Sequence, residues 1–364
     1  MGPTRIVING RFLTQGITGV QRYQHELLHA FDHIAAQRDD LQFELVAPRG
    51  NYPRPPLERI GFRQHGRLTG HAWEQLELPR VAKGAVLFCG GNSAPLATAL
   101  SGNKLVVTVH DLSYRYFPEA YSAAYRWWYE AITPVLMRRA DAIVTVSNSE
   151  KSSMLYLYPD SVDRLHAVQN GGLPITHAGP LPETEIEGEY LLYVGSLSRR
   201  KNFPNLLRAA IRLVSHRDLK FVFVGGTDAA LEAVEVDVPR AIRDRIVMLG
   251  QVNDTQRLIG LYSGARAFVF PSSYEASPLP PIEAMACGLP VICSDIPSLR
   301  ERCGEAAHYC DANDVEGIQR AVELVLDDKQ LADDLRNRGF VQAAQFDWLN
   351  CATKTLKIIE QVAS

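Results

Sequence analysis

Phe268-Val269-Phe270-Pro271-Ser272-Ser273-Tyr274-Glu275-Ala276-Ser277-Pro278-Leu279-Pro280-Pro281-Ile282-Glu283-Ala284-Met285-Ala286-Cys287-Gly288-Leu289-Pro290-Val291-Ile292-Cys293-Ser294-Asp295 reads as strand, loop, short helix, strand. The apolar run Ala267 to Phe270 has the composition of a parallel strand buried on both faces, and it ends at Pro271. Pro281 suits the first turn of a helix, where its missing N–H costs nothing, and Gly288 stands where a left-handed cap is expected. A loop at the carboxyl end of a parallel strand is a usual seat for a phosphate-bearing ligand. Glu275 and Glu283, separated by seven residues, place one carboxylate just past the strand and one on the helix, so both can face one crevice.

Glu-x7-Glu followed by Ala-Met-Ala-Cys-Gly-Leu-Pro-Val-Ile resembles the signature of the family 4 retaining glycosyltransferases. Those enzymes have the α/β GT-B fold, two facing Rossmann-like domains with a cleft between them. The resemblance implies that Glu275 hydrogen-bonds hydroxyls of a donor sugar and that Glu283 binds the two ribose hydroxyls of the sugar nucleotide. After the first Glu the family usually has Gly-Phe-Gly-Leu-Pro, whose backbone N–H groups face sugar and phosphate. Here the loop is Ala276-Ser277-Pro278-Leu279-Pro280, and Pro278 has no N–H to donate. Ser277 and Leu279 are carried over as donor-binding positions of that loop. The bland alternative makes both Glu residues solvated charges at helix ends.

A chain of 364 residues fits two domains of ordinary size, and 46% apolar with 22% charged residues is the composition of a globular protein. A net charge of −3 argues against nucleic acid as a partner. Residues 1–172 carry +3 and the remainder −6, a small basic bias of the first half. The six cysteines show no Cys-x-x-Cys spacing and no nearby His pair, so they read as small buried hydrophobes of a reducing compartment. With no signal-peptide pattern and no apolar run of about 18 residues, the expected location is cytoplasmic.

Arg5-Ile6-Val7-Ile8 opens the chain as a buried strand, followed by the loop Gly16-Ile17-Thr18-Gly19 and an amphipathic helix over about 20–34. Neither Gly-x-Gly-x-x-Gly nor Gly-x4-Gly-Lys-Ser/Thr occurs. By resemblance Gly16, Gly19 and Arg22 face the diphosphate and acceptor; a tight turn with a surface Arg is the equal alternative. Phe43 to Ala47 and Val86 to Phe88 are further strands, and Trp73-Glu74-Gln75-Leu76 is a helix expected to stop at Pro79. The strand ending Val107-Thr108-Val109 puts His110 and Asp111 at its carboxyl end. The resemblance places His110 beside the anomeric carbon, with Asp111 either orienting the imidazole or binding acceptor. From Tyr114 to Ala140 the chain is dense in aromatics and arginines. That mixture suits a membrane interface, though a core helix with solvated arginines is the favoured alternative.

Asn170-Gly171-Gly172 closes the first domain (1–172), a linker follows over 173–188, and the second domain (189–345) opens with the strand Tyr190 to Val194. The basic loop Gly195-Ser196-Leu197-Ser198-Arg199-Arg200-Lys201-Asn202 comes next. In the family this loop neutralises the diphosphate; Lys201 matches the Lys, Ser196 stands where Arg is frequent, and Arg200 becomes the second cation. Val252 lies in a loop that resembles the base-binding loop. The last helix, 346–364, is expected to cross back to the first domain.

The resemblance therefore implies a retaining hexosyltransferase acting on a nucleoside-diphosphate sugar. Val-His-Asp-Leu, Trp-Glu-Gln and Arg-Lys-Asn together most resemble the mannosyl- and rhamnosyl-transferring branch that builds bacterial surface polysaccharides, which makes GDP-mannose the favoured donor. The acceptor is a saccharide or lipid-diphosphate-linked sugar, with peripheral contact at the inner membrane face. No Asp-x-Asp occurs, so no metal and no resident cofactor are expected. Two other readings are a catalytically weak binding subunit, motivated by Ala276-Ser277-Pro278, and a sugar-nucleotide epimerase of the same fold.

Overall fold

The computed structural model describes residues 2–173, 182–226 and 238–364. Of the linker expected over 173–188, residues 174–181 lie outside the described residues. The chain divides into two compact units, Met1–Gly171 with Asp347–Ser364, and Gly172–Phe346.

The first unit is built on strands β1 (Thr4–Asn9), β2 (Leu41–Pro48), β3 (Gly61–His65), β4 (Val86–Cys89), β5 (Leu105–Thr108), β6 (Ala142–Thr145) and β7 (Leu165–Ala167). They pair in parallel in the order β3-β2-β1-β4-β5-β6-β7. The central strands are buried on both faces, which is why Val86–Cys89, Leu105–Thr108 and Ala142–Thr145 are apolar without alternation. The helix Gly19–Ala35 lays Tyr23, Leu27, Leu28 and Phe31 against the sheet. The closing helix, Trp348–Ala363, packs on the same unit against Gly19–Ala35 and β4, β5 and β6.

The second unit repeats the plan with β8 (Tyr190–Val194), β9 (Lys220–Val224), β10 (Ile246–Met248), β11 (Ala267–Phe270), β12 (Val291–Ser294) and β13 (Ala307–Cys310). Among the described residues these form a parallel sheet in the order β10-β9-β8-β11-β12-β13. Its core takes in Leu206, Leu207, Leu213 and Val214 of the amphipathic helix Phe203–His216, each contributing roughly 1.5–3 kcal/mol by burial. Both sheets reverse direction of growth once, between β1 and β4 and between β8 and β11. In an open α/β sheet the crevice at the carboxyl end of such a switch point is where ligands bind.

Three expectations need correction. Pro79 does not end the helix around Trp73: the helix Gly70–Leu76 stops first, and Pro79 lies in the first turn of a short second helix, Leu78–Val81, where its missing N–H is harmless. Strands β3, β7 and β13 extend the two sheets beyond the strands that hydropathy marks. The Tyr114 to Ala140 segment is two helices, Ser113–Tyr116 and Ala123–Arg139, the second accommodating Pro134 within it.

Gly171 is required by close packing. A Cβ there would stand 2.4 Å from Cγ of Trp348, whose ring meets Tyr23 at 5.9 Å, and Tyr23 in turn meets the His110 ring edge-to-face at 4.7 Å. Gly171→Ala should therefore cost on the order of 1–3 kcal/mol by overpacking, read as a lower denaturant midpoint at unchanged slope; an unshifted midpoint would contradict this packing.

Candidate functional site

At the switch point of the second unit, the basic loop after β8 meets the loop after β11. Lys201 Nζ lies 2.5 and 2.6 Å from Oε1 and Oε2 of Glu275, and Ser272 Oγ donates to the same carboxylate at 2.6 Å. Both members of the ion pair are nearly buried, with side-chain exposures of 13% and 5%. A floor of rings supports them: the ammonium stands 5.4 Å above Phe270, which stacks on Tyr193. Tyr193 donates its hydroxyl to the Ser196 carbonyl at 2.9 Å, fixing the start of the basic loop. Arg200 runs alongside, with a guanidinium nitrogen 3.4 Å from the Tyr274 carbonyl.

Asn202 joins the two loops. It takes the left-handed conformation (φ 58°), which Asn tolerates better than most residues, and its side-chain amide donates to the carbonyls of Pro271 and Ala312. Ser277 and Leu279 lie on the same loop as Glu275. Buried Arg302 holds that loop from behind, donating to the Pro278 carbonyl at 3.0 Å while its guanidinium lies 4.3 Å from the centre of Phe346. Glu283 belongs to the helix Pro280–Ala286 and is buried, accepting a hydrogen bond from Tyr262 at 3.0 Å. Burial, aided by the Glu283 charge, pushes the neighbouring Cys287 thiol up to about 12. Val252 follows β10 and packs at the edge of the core; the neighbouring Asp254 caps the helix Thr255–Gly264.

At the switch point of the first unit, the turn after β4 cradles His110. Its Nε2 lies 2.9 Å from the Gly90 carbonyl, and its backbone N–H donates to Asn92 Oδ1 at 2.6 Å. Asn92 is again left-handed, φ 60°. With Nε2–H donating to Gly90, Nδ1 is the acceptor nitrogen of the neutral ring. Burial lowers the pKa of the imidazole, so the neutral form prevails at pH 7. Asp111 does not orient the imidazole: its Oδ1 accepts from the Ser113 N–H and hydroxyl at 2.9 and 2.6 Å. Gly16 and Gly19 are exposed, and a Cβ at either would touch nothing within 4 Å, so sterics do not demand glycine there. Arg22 continues the helix that starts at Gly19, its N–H donating to the Thr18 carbonyl.

A buried polar cluster beside β1 and β4 carries no single-residue signal in the sequence. Glu74 Oε2 accepts from Asn9 Nδ2 at 2.8 Å and Arg11 Nε at 2.9 Å, Arg11 reaches Ser93 Oγ at 2.9 Å, and His71 Nδ1 is 3.4 Å from Glu74 Oε1. Burial would raise the Glu74 pKa, but His71, Arg11 and Ser93 outweigh it and hold the carboxylate below its ordinary value. Glu74 is thus a buried anion with its partners built in. Gln75 bridges Ala94 and Leu96, which ties the Trp-Glu-Gln helix to the chain after β4. Among the described residues no group of three or more His, Cys, Asp or Glu side chains is placed to hold a metal ion.

A family model described as Glycosyltransferase Family 4 matches residues 17–171, and one described as Glycosyl transferases group 1 matches residues 182–342. Over 268 residues the chain is 34% identical to O-antigen chain mannosyltransferase B of Escherichia coli, covering 70% of this chain and 69% of that protein. It is 28% identical over 242 residues to O-antigen chain mannosyltransferase RfbU of Salmonella typhimurium, covering 66% and 65%. In fold it matches a sucrose-phosphate synthase of Thermosynechococcus elongatus with a TM-score of 0.74 over 98% of both chains, at 20% identity. These matches, taken with the two parallel sheets and the Glu275 to Glu283 stretch, place the chain in the family 4 glycosyltransferases of the GT-B fold, in the branch that includes the O-antigen mannosyltransferases.

Proposed function

We propose that this glycosyltransferase moves mannose or a related hexose from a nucleoside-diphosphate sugar, GDP-mannose favoured, to a hydroxyl of a growing bacterial surface polysaccharide or lipid-diphosphate-linked saccharide. The observation that carries the reading is the Lys201–Glu275 pair at the switch point of the second sheet, with Glu283 on the following helix. One carboxylate for the sugar, one for the ribose and a lysine for the diphosphate is the set of groups a sugar nucleotide needs. The two mannosyltransferase relatives support the choice of sugar and of pathway class.

The reaction is read as retaining. The anomeric carbon loses its bond to the diphosphate as the acceptor oxygen bonds on the same face, and the acceptor proton passes to the departing phosphate oxygen. Lys201 and Arg200 supply positive charge where negative charge develops on the leaving group, the role a divalent ion fills in other enzymes. Neutral His110 offers hydrogen bonding to the sugar without adding charge.

Four outcomes test this reading. In a thermal-shift and calorimetric screen of GDP, UDP, dTDP and ADP with EDTA present, one nucleotide, GDP first, should stabilise the protein; no stabilisation by any of them would remove the donor assignment. Glu283→Ala should weaken nucleoside-diphosphate binding by about 1.5–3 kcal/mol, the worth of hydrogen bonds to a charged group. Glu275→Ala should lower transfer and leave that affinity nearly intact, so the opposite pattern would refute the division of roles. Lys201→Met leaves a nearly buried carboxylate without its cation and should destabilise the protein by roughly 3–5 kcal/mol. Adding Glu275→Gln should recover part of that loss in a melting experiment; an additive double variant would mean the pair is not coupled.

A further inference from the structure

The helix Ala123–Arg139 carries a buried stripe that changes character along its length. At its carboxyl end the stripe is aliphatic, with Leu136, Met137 and Ile132 fully buried. One and two turns earlier the same face becomes aromatic, with Tyr129, Trp128 and Tyr125, and emerges into solvent until Tyr125 is 37% exposed. The rings form a continuous series. Tyr121 stacks on Tyr125 at 4.9 Å, Tyr125 meets Tyr129 at 4.4 Å, and His71 closes on Trp128 at 4.6 Å and on Tyr129 at 6.3 Å.

Hydrogen-bonding groups stand at both ends of this wall. At one end the Tyr121 hydroxyl is 2.5 Å from Ser113 Oγ, which is held by Asp111, next to His110. At the other end His71 rests on Glu74, the buried anion held by Arg11 and Asn9. The indole N–H of Trp128, shielded from solvent, meets no acceptor among the described residues. The wall lies on the switch-point side of the first sheet, since Asn9, Arg11 and Ser93 follow β1 and β4, and Asp111 follows β5.

We infer that the wall of Tyr121, Tyr125, Trp128 and His71 binds the acceptor saccharide, stacking the apolar face of a pyranose ring while the groups at its ends take the sugar hydroxyls. This rests on the transferase reading above. A pyranose has one C–H face and a rim of hydroxyls, and a wall of rings bounded by an imidazole, a carboxylate-held serine and phenol hydroxyls matches both. A lipid surface is the poorer occupant. It would leave these polar groups in an apolar setting without acceptors or donors, and the most exposed ring of this helix, Trp127 at 71%, is not part of the stack.

The test is saturation-transfer NMR and titration of the full chain with α-linked mannotriose, with cosedimentation on vesicles of phosphatidylglycerol and phosphatidylethanolamine as the other arm. Mannotriose should receive saturation at its ring C–H face. Tyr125→Ala and, at its stacking neighbour, Tyr121→Ala should each weaken its binding by about tenfold or more. Tyr125→Phe, which keeps the ring, and Trp127→Ala should bind as the unsubstituted protein does. Calorimetry with GDP should give the same affinity for every variant, so a failure of GDP to bind the unsubstituted protein counts against the donor assignment and not against the wall. The inference is overturned if mannotriose receives no saturation, if its affinity survives Tyr125→Ala and Tyr121→Ala, or if those substitutions abolish vesicle binding instead.

Discussion

The ion pair between Lys201 and Glu275 is the constraint around which the second unit is arranged. Two nearly buried opposite charges persist only when geometry and hydrogen bonding offset their desolvation. Here the offset comes from bidentate contact, from Ser272 and from the Phe270 ring below the ammonium. The loops that bring the pair together are themselves tied by Asn202 to Pro271 and by Arg302 to Pro278. A phosphate arriving at this place finds a lysine already held by a carboxylate.

The first unit solves a related problem with neutral groups. His110 is fixed by a carbonyl on its ring and by an amide side chain on its backbone, both supplied by the Gly90-Gly91-Asn92 turn. Gln24 closes on Gly90 and Gly91, so a Cβ at either would require the Gln24 side chain to shift. Behind the imidazole stand Tyr23 and Trp348, so the closing helix of the chain helps to hold the histidine in place. Asp111 serves the loop that follows, through Ser113 and Tyr121.

Much of this was legible in the sequence, for a physical reason. Strands buried on both faces must be apolar throughout, so Val86–Cys89, Leu105–Thr108, Tyr190–Val194 and Ala267–Phe270 stand out, and the polar residues that end them mark the carboxyl edge of each sheet. Edge strand β3 has one apolar residue in Gly61-Phe62-Arg63-Gln64-His65 and is held by its backbone ladder to β2, which leaves no mark in hydropathy. Lys201 and Glu275 each stand out in the sequence, but their pairing does not. Lys201 and Glu275 are 74 residues apart, and nothing local says that one will neutralise the other. The Gly90 carbonyl that orients His110 has no side chain to read. Arg302, which supports the loop at Pro278, looks in sequence like any surface arginine of a helix.

The central claim is that the sugar nucleotide lies across the loops after β8 and β11 of the second unit. A crystal structure of the protein with a nucleoside-diphosphate sugar tests it most directly. The expected result is the ribose on Glu283, the hexose on Glu275 and the diphosphate against Lys201 and Arg200. A nucleotide ordered away from those loops, or one whose ribose meets neither carboxylate, would contradict the account.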